Sequence, residues 1–183
     1  MPAIPDDRSR SGLAAHLRVP VRSKQRQVVA LAGFLALSYA LCMLASVPII
    51  LNRGGWFADS VQAPWMPAGW MFRTAWLSLY GGIAVAAWLV WRRGALAGRL
   101  AWMYAAQLLL NLAWPFTFFG MYPMLGVAAL WIALAVIGAL AVVLVLLVLR
   151  FGPVSTAAGL LVLPYFSWVV FSASLNVYSA IHN

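Results

Sequence analysis

Acidic residues are nearly absent from this chain of 183 residues, which contains three Asp and Glu in total. Asp6, Asp7 and Asp59 lie outside every long apolar stretch, and His16 and His182 lie close to the two ends. Proton relays, carboxylate metal sites and ion-coupled transporters need ionisable groups inside the apolar stretches. A serine hydroxyl without a neighbouring base is also a poor nucleophile. We therefore expect no catalytic residue, no metal site and no conventional hydrolytic or phosphoryl-transfer activity.

Cysteine and charge are scarce as well. Cys42 is the single cysteine and lies in the middle of an apolar stretch, which excludes an internal disulfide and a cysteine-based metal site. Charged residues make up 8% of the chain and hydrophobic residues 65%, whereas about a quarter of a soluble domain is charged. Ten tryptophans lie mostly within or beside the apolar stretches. This composition is typical of a helical membrane protein with aromatic-lined surfaces.

Five apolar stretches are long enough to span the roughly 30 Å hydrocarbon layer of a bilayer. They predict an all-α membrane protein, a bundle of five transmembrane helices over residues 28–50, 70–91, 100–119, 124–149 and 156–181. The expected breaks fall at Arg92–Gly94, at Gly120–Pro123 and at Arg150–Pro153. Residues 1–27 are basic and contain three prolines, so we interpret them as a largely disordered cytoplasmic tail.

The basic residues predict the orientation. One side would carry Arg8, Arg10, Arg18, Arg22, Lys24, Arg26, Arg92, Arg93, Arg99 and Arg150, and the other side only Arg53 and Arg73. Positive residues favour the cytoplasmic side, so the net charge of +9 indicates topology rather than nucleic-acid binding. We expect a cytoplasmic N-terminus, an outer C-terminus and a bacterial cytoplasmic membrane. The outer loop 51–69, rich in tryptophan and proline, is expected to fold back as a lid.

A polar and aromatic stripe runs along the third predicted helix. Gln107 and Asn111 lie one turn apart, and Trp114 and Phe118 continue the same face. An amide in hydrocarbon must face protein or a cavity, so the pair either forms interhelical hydrogen bonds or contributes to a pocket wall. The aromatic continuation of the face favours the pocket wall.

The second and fifth predicted helices carry similar side chains. Trp76 and Tyr80 lie four residues apart on the second, and Trp168 and Phe171 lie on the fifth. Trp76, Trp114 and Trp168 are too deep for an interfacial aromatic belt, which would accommodate tryptophans near the helix ends. Aromatic faces with a few amide donors suit a flat, apolar ligand.

Three blocks of sequence resemble the TspO/MBR family, the translocator proteins and tryptophan-rich sensory proteins that include the peripheral benzodiazepine receptor. The first block is PWMPAGWMF at 64–72 followed by AWLSLY at 75–80. The second is YAAQ at 104–107 with Asn111, Trp114 and FFG at 118–120. The third is PYFSW at 164–168 with Phe171 and LN at 175–176. The similarity extends over residues 30–183.

The resemblance implies a five-helix bundle, usually a homodimer, that binds porphyrins, sterols and benzodiazepine-type drugs in a pocket beneath the first long loop. No resident cofactor is implied, although a porphyrin or heme-like molecule is the expected ligand. Together, the resemblance and the aromatic stripes give the predicted ligand-binding residues Trp56, Trp65, Trp76, Tyr80, Gln107, Asn111, Trp114, Phe118, Trp168 and Phe171.

Several functions are compatible with this pattern. The sterol-recognition pattern of some members needs a basic residue after its tyrosine, and none follows Tyr178, so porphyrin is favoured over sterol. The leading hypothesis is a membrane sensor or regulator, related to stress, that captures tetrapyrroles. The alternatives are a transporter of porphyrins or lipid-like molecules and an enzyme that degrades porphyrins under light. No inverted repeat or coupling charge supports active transport.

Overall fold

The computed structural model describes residues 23–183, which are all-helical and contain no strand. The expectation of a disordered tail falls mostly on residues outside this range. The α-helices in chain order are α1 (Lys24–Asn52), α2 (Trp56–Asp59), α3 (Gly69–Arg92), α4 (Gly98–Pro115), α5 (Tyr122–Leu125), α6 (Val127–Val154) and α7 (Thr156–His182). A π-helix, Phe116–Gly120, follows α4 directly.

Several of the predicted boundaries differ from the structure, most clearly the start of the first helix and the end of the fourth. Helix α1 begins at Lys24, within the predicted tail, because the Ser23 side chain caps its first turn by accepting from the backbone N–H of Arg26 at 3.4 Å. The expected break at Gly152 and Pro153 is wrong, since both residues belong to the last turn of α6. A proline beyond the first turn removes one helical hydrogen bond and usually ends or kinks a helix. Here the helix continues through Pro153 to Val154, and the chain reverses at residue 155.

The turn between α6 and α7 is a single residue. Ser155 leaves the helical conformation, and its side chain accepts a hydrogen bond from the backbone N–H of Ala158. So short a link requires the two helices to approach closely at this end. Gly159 provides the space, because a Cβ atom there would lie 2.9 Å from the Cα of Gly152. The α6–α7 hairpin therefore includes a close approach of Gly159 to the backbone of Gly152.

In the part of the chain that the structure describes, four helices, α1, α3, α6 and α7, are long and apolar enough to cross a membrane. These helices support an integral, multi-pass membrane protein. The fifth predicted span is represented by α4, which has 18 residues and continues into the π-helix. Arg99, Gln107 and Asn111 make this segment less apolar than the others.

The long helices form a closed ring. Helix α1 packs against α3 and α4, α3 against α7, α7 against α6, and α6 against α4. One face of α6 is fully buried in this ring, with apolar side chains three or four residues apart as an amphipathic helix requires. These are Leu130, Ala133, Ile137, Leu140, Leu144, Leu147 and Phe151. The core is thus continuous along α6.

Candidate functional site

A cavity of about 680 Å³ lies between α1, α3, α4, the π-helix and α7, and the loop 51–69 contributes to its wall. It occupies one end of the bundle, since its lining comes from the last half of α1, α4 and α7 and the first half of α3. The lining from the helices includes Cys42, Ala45, Ser46, Ile49, Phe72, Trp76, Tyr80, Asn111, Trp114, Pro115, Phe118, Phe119, Ser172, Leu175 and Asn176. Helix α6 contributes no side chain to this wall.

Aromatic rings from two helices form the centre of the wall. The rings of Trp76 and Trp114 are nearly parallel, with centroids 6.1 Å apart and planes inclined by 28°. Tyr80 lies one turn below Trp76 on α3, at 6.2 Å between centroids. Phe118 continues the wall from Trp114, at 5.6 Å. The four-residue spacings along α3 and α4 place these rings on one face of each helix.

The π-helix adds a second phenylalanine to the wall. Phe118 and Phe119 are both buried and both line the cavity, with ring centroids 4.8 Å apart. Short π-helical segments occur often at functional sites. Phe119 was not among the predicted residues, because consecutive side chains point in different directions on a regular α-helix. The Phe-Phe-Gly sequence gave no signal for the wider turn.

Asn111 fits both interpretations of the polar stripe on α4, the interhelical hydrogen bond and the pocket wall. It lines the cavity, and its side-chain nitrogen also donates a hydrogen bond to the Tyr165 hydroxyl of α7. A second amide has a similar position. Asn176 accepts a hydrogen bond from the Trp114 indole N–H at 3.1 Å and donates to the carbonyl of Leu130 at 2.9 Å. Asn176 therefore connects α4, α6 and α7 at the cavity wall.

Two hydroxyls on the wall have no partner within residues 23–183. They belong to Tyr80 and Ser172, and both are buried. A buried hydroxyl without a hydrogen bond is costly, by about 1–3 kcal/mol. Because both side chains line the cavity, a ligand with polar groups can satisfy them. Ser172 was not among the predicted site residues.

Gln107 is fully buried but lies outside the cavity wall. Its side chain is 0% exposed, and neither its amide nitrogen nor its amide oxygen has a partner in the described part of the chain. Ser38 and Tyr104 are buried polar side chains as well. The structure therefore places Gln107 among the polar residues of the core, not among those that face the cavity.

The two loop tryptophans pack against protein, away from the cavity. Trp56 stacks on Tyr122 at 3.7 Å and donates its indole N–H to the carbonyl of Phe119 at 3.2 Å. Trp65 is 48% exposed and donates to the Ser174 hydroxyl of α7 at 3.2 Å. These contacts fasten the loop at two points, to the π-helix and to α7.

The loop covers one end of the cavity through other side chains. Phe57, Met66 and Pro67 line the cavity, and Ser60 and Gln62 form hydrogen bonds within the loop. The loop residues that face the cavity are therefore not the tryptophans that were predicted from the sequence. Those tryptophans instead hold the loop in place.

Trp168 and Phe171 stand behind the wall on α7. Trp168 contacts Phe72 at 5.7 Å and Phe171 at 5.2 Å between centroids, and its indole N–H has no partner within residues 23–183. Neither residue lines the cavity, whereas Phe72 does. Of the ten predicted residues, the structure brings five together around the cavity: Trp76, Tyr80, Asn111, Trp114 and Phe118.

Within residues 23–183, no group of three His, Cys, Asp or Glu residues is placed to hold a metal ion. Polar contact with a ligand would come from hydroxyls, amides and two arginines, Arg53 and Arg73, which also belong to the cavity lining. The site is thus suited to binding a largely apolar molecule.

The sequence matches the model of the TspO/MBR family over residues 28–181. It is 33% identical to the Tryptophan-rich protein TspO of Chlorobaculum tepidum over 154 residues, which cover 78% of this chain and 90% of that protein. It is 34% identical to the Tryptophan-rich sensory protein of Cereibacter sphaeroides over 133 residues, 72% and 79% of the two chains. It is 33% identical to the Translocator protein of Ovis aries over 125 residues, 66% and 70% of the two chains.

Proposed function

Because this chain belongs to the TspO/MBR family, we propose that it is an integral membrane binding protein that captures porphyrins in its aromatic cavity and acts as a sensor or regulator. The observation that carries this proposal is the pair of nearly parallel rings of Trp76 and Trp114 on the cavity wall. Flat conjugated ligands gain most from aromatic faces. The volume of about 680 Å³ also falls within the usual range of small-molecule sites, about 300–1,000 Å³.

We also propose that α4 and the π-helix together form a fifth membrane span. At about 1.5 Å per residue, 98–120 would extend over roughly 35 Å, enough to cross the hydrocarbon layer of about 30 Å. The basic residues favour a cytoplasmic N-terminus and an outer C-terminus, as in a bacterial cytoplasmic membrane. With that orientation the cavity lies in the outer half of the bilayer, beneath the loop 51–69.

A homodimer is part of this proposal. Ala32, Ala36 and Ala40 lie four residues apart on α1 and are exposed on the single chain. Such rows of small residues allow two helices to approach closely in a membrane. Sedimentation of the protein in detergent would measure the assembly, and a monomer at all concentrations would contradict the dimer.

The binding proposal is tested by filling the cavity. Ala45 is buried on the wall of α1, so Ala45→Phe places a ring where the ligand would lie. Ala139→Phe is the matched control, since Ala139 is exposed on α6, which contributes nothing to the wall. Protoporphyrin IX should quench the tryptophan fluorescence of the native protein and the control saturably. The affinity should fall at least tenfold in Ala45→Phe, and linear quenching in every sample would contradict a defined site.

The polar part of the wall is tested by Asn111→Leu. This change removes a cavity-facing amide and its hydrogen bond to Tyr165. Porphyrin affinity should fall by about tenfold, as expected for one lost hydrogen bond of about 1–1.5 kcal/mol, while the bundle stays folded. Unchanged affinity would remove Asn111 from the site. Parallel titrations with cholesterol and a benzodiazepine-type ligand would establish whether the cavity accepts these classes.

The alternatives predict different results. A transporter should move porphyrin between the two sides of proteoliposomes, whereas the restriction of the cavity to one end of the bundle favours binding without passage. A photochemical enzyme should consume bound porphyrin under light and oxygen and lose this activity in Trp114→Phe. Intact porphyrin after illumination would favour binding alone.

A further inference from the structure

The cavity opens sideways, between α1 and α3. The lining residues that are exposed on the molecular surface all lie on these two helices or at their ends: Met43, Ile50, Arg53, Gly69, Arg73 and Leu77. The helical wall residues from α4 and α7, in contrast, are buried. From Met43 to Arg53 the opening extends about 15 Å along α1, at about 1.5 Å per residue. The opening faces the surroundings of the bundle along most of this length.

Two arginines stand at the loop end of this opening. Arg53 caps the C-terminus of α1, and Arg73 lies in the first turns of α3. Because α1 and α3 are connected by the loop 51–69, these helix ends lie on the same side of the bundle. The two positive charges therefore belong to one end of one opening.

Neither guanidinium has a partner within residues 23–183. Asp59 is the only acidic side chain in this range, and no ion pair or side-chain hydrogen bond involves Arg53 or Arg73. The rest of the lining is apolar, aromatic or uncharged. An arginine presents paired N–H donors that match a carboxylate, and such charge-assisted hydrogen bonds are roughly twice as strong as neutral ones. The two side chains are thus free to recognise an anion.

We propose that Arg53 and Arg73 form an anion subsite that binds the carboxylate of an amphipathic ligand whose apolar body lies against Trp76 and Trp114. This inference rests on the proposed function and adds the chemical group that the ligand must carry. Arg73 precedes Trp76 by three residues, so both side chains lie on one face of α3, about 5–6 Å apart at Cβ. A carboxylate joined to a ring on Trp76 by a short chain therefore reaches the arginine.

The test compares protoporphyrin IX, which carries two carboxylates, with its dimethyl ester, which has the same ring and no charge. Both are titrated into the full-length protein in nanodiscs of phosphatidylcholine, with tryptophan quenching as the signal. The native protein should bind the acid at least tenfold more tightly than the ester. In the double variant Arg53→Gln/Arg73→Gln, the acid should bind no more tightly than the ester.

Arg93→Gln is the matched control, because Arg93 follows α3 at its opposite end and does not line the cavity. It should keep the full preference for the acid. Added salt should reduce the preference in the native protein, since partly exposed charges are screened over about 8–10 Å near physiological ionic strength.

The other outcomes separate the two proposals. Equal binding of acid and ester by the native protein would overturn the subsite, and so would a preference for the acid that survives in the double variant. Either result would leave the proposed function intact. Saturable binding of neither porphyrin would overturn the proposed function and the subsite with it. A second series of titrations in phosphatidylglycerol nanodiscs tests whether the anion that Arg53 and Arg73 bind is a lipid headgroup. Arginine-dependent binding of that lipid, with no preference between the porphyrins, would assign the pair to a headgroup phosphate and overturn the proposal.

Discussion

Asn176→Leu should separate the stability of the bundle from the shape of its cavity. Asn176 is 0% exposed and holds two neighbours, the indole N–H of Trp114 at 3.1 Å and the carbonyl of Leu130 at 2.9 Å. Leucine has nearly the same shape, so the substitution removes hydrogen bonds without opening a void. The carbonyl of Leu130 lies within α6 and keeps a helical partner. The indole N–H of Trp114 is left buried without one.

The expected loss follows from these two contacts. Leaving a buried donor unsatisfied costs about 1–3 kcal/mol, whereas interhelical hydrogen bonds inside membranes contribute about 0.6 kcal/mol on average and at most about 1.7. We therefore expect the free energy of unfolding to fall by about 1–2 kcal/mol. For a chain of this size that corresponds to a Tm lower by about 2–8 °C. The freed Trp114 ring should also lower porphyrin affinity.

Thermal unfolding in detergent, followed by the loss of helical circular dichroism, measures the first effect. Asn52→Leu is the matched control, because the Asn52 side chain donates only to the Pro48 carbonyl of its own helix. Its Tm should change by less than half as much. Equal Tm values for the two variants would refute the view that Asn176 holds three helices together.

Two further substitutions test the packing described above, each by its effect on Tm. Gly159→Ala should destabilise the protein by about 1–3 kcal/mol, since the new Cβ would lie 2.9 Å from the backbone of Gly152. Gly138→Ala is the control, because a Cβ at that position would meet nothing within 4 Å. It should be neutral or stabilising by up to about 1 kcal/mol. Equal effects would contradict the close approach of α6 and α7. Gln107→Leu should leave Tm unchanged or higher, because neither amide atom has a partner within the described residues. A lower Tm would indicate that the Gln107 amide forms hydrogen bonds to bound water in the native protein.

The length of the apolar stretches was sufficient to predict the long helices, and helical periodicity predicted half of the proposed site residues that line the cavity. Trp76 with Tyr80, and Asn111 with Trp114 and Phe118, follow spacings of three or four residues and meet at the cavity. Periodicity places a side chain on a face of its own helix. It does not specify which neighbour that face meets, and this limit explains where the prediction and the structure differ.

Trp168 illustrates this limit. It lies on the face of α7 that was expected to line the pocket, but Phe72 of α3 stands between it and the cavity. Whether Phe72 or Trp168 lines the cavity depends on how α7 is rotated about its axis relative to α3. The local sequence of neither helix specifies that rotation. The break expected at Gly152 failed for a related reason, since the helix α6 continues through Gly152 to a close approach with Gly159 of α7 that the local sequence does not show.

The position of the cavity follows from a change in side-chain size along α3. After Tyr80, the buried face of α3 carries Ile83, Ala84, Ala86, Ala87 and Val90, each at most 1% exposed. These small residues let the neighbouring helices pack directly against α3. Towards the loop 51–69, α3 carries Phe72 and Trp76, whose rings line the cavity.

One end of the bundle is therefore packed solidly and the other is hollow. The packed end, which includes the buried face of α6, can maintain the fold whether or not a ligand is bound. The hollow end leaves Tyr80 and Ser172 without hydrogen bonds, and a ligand that satisfies them would stabilise this end selectively. Binding should consequently be most sensitive to changes on the cavity side of Tyr80, and folding to changes on the packed side. Asn176 belongs to both groups, because it connects the cavity residue Trp114 to the core helix α6.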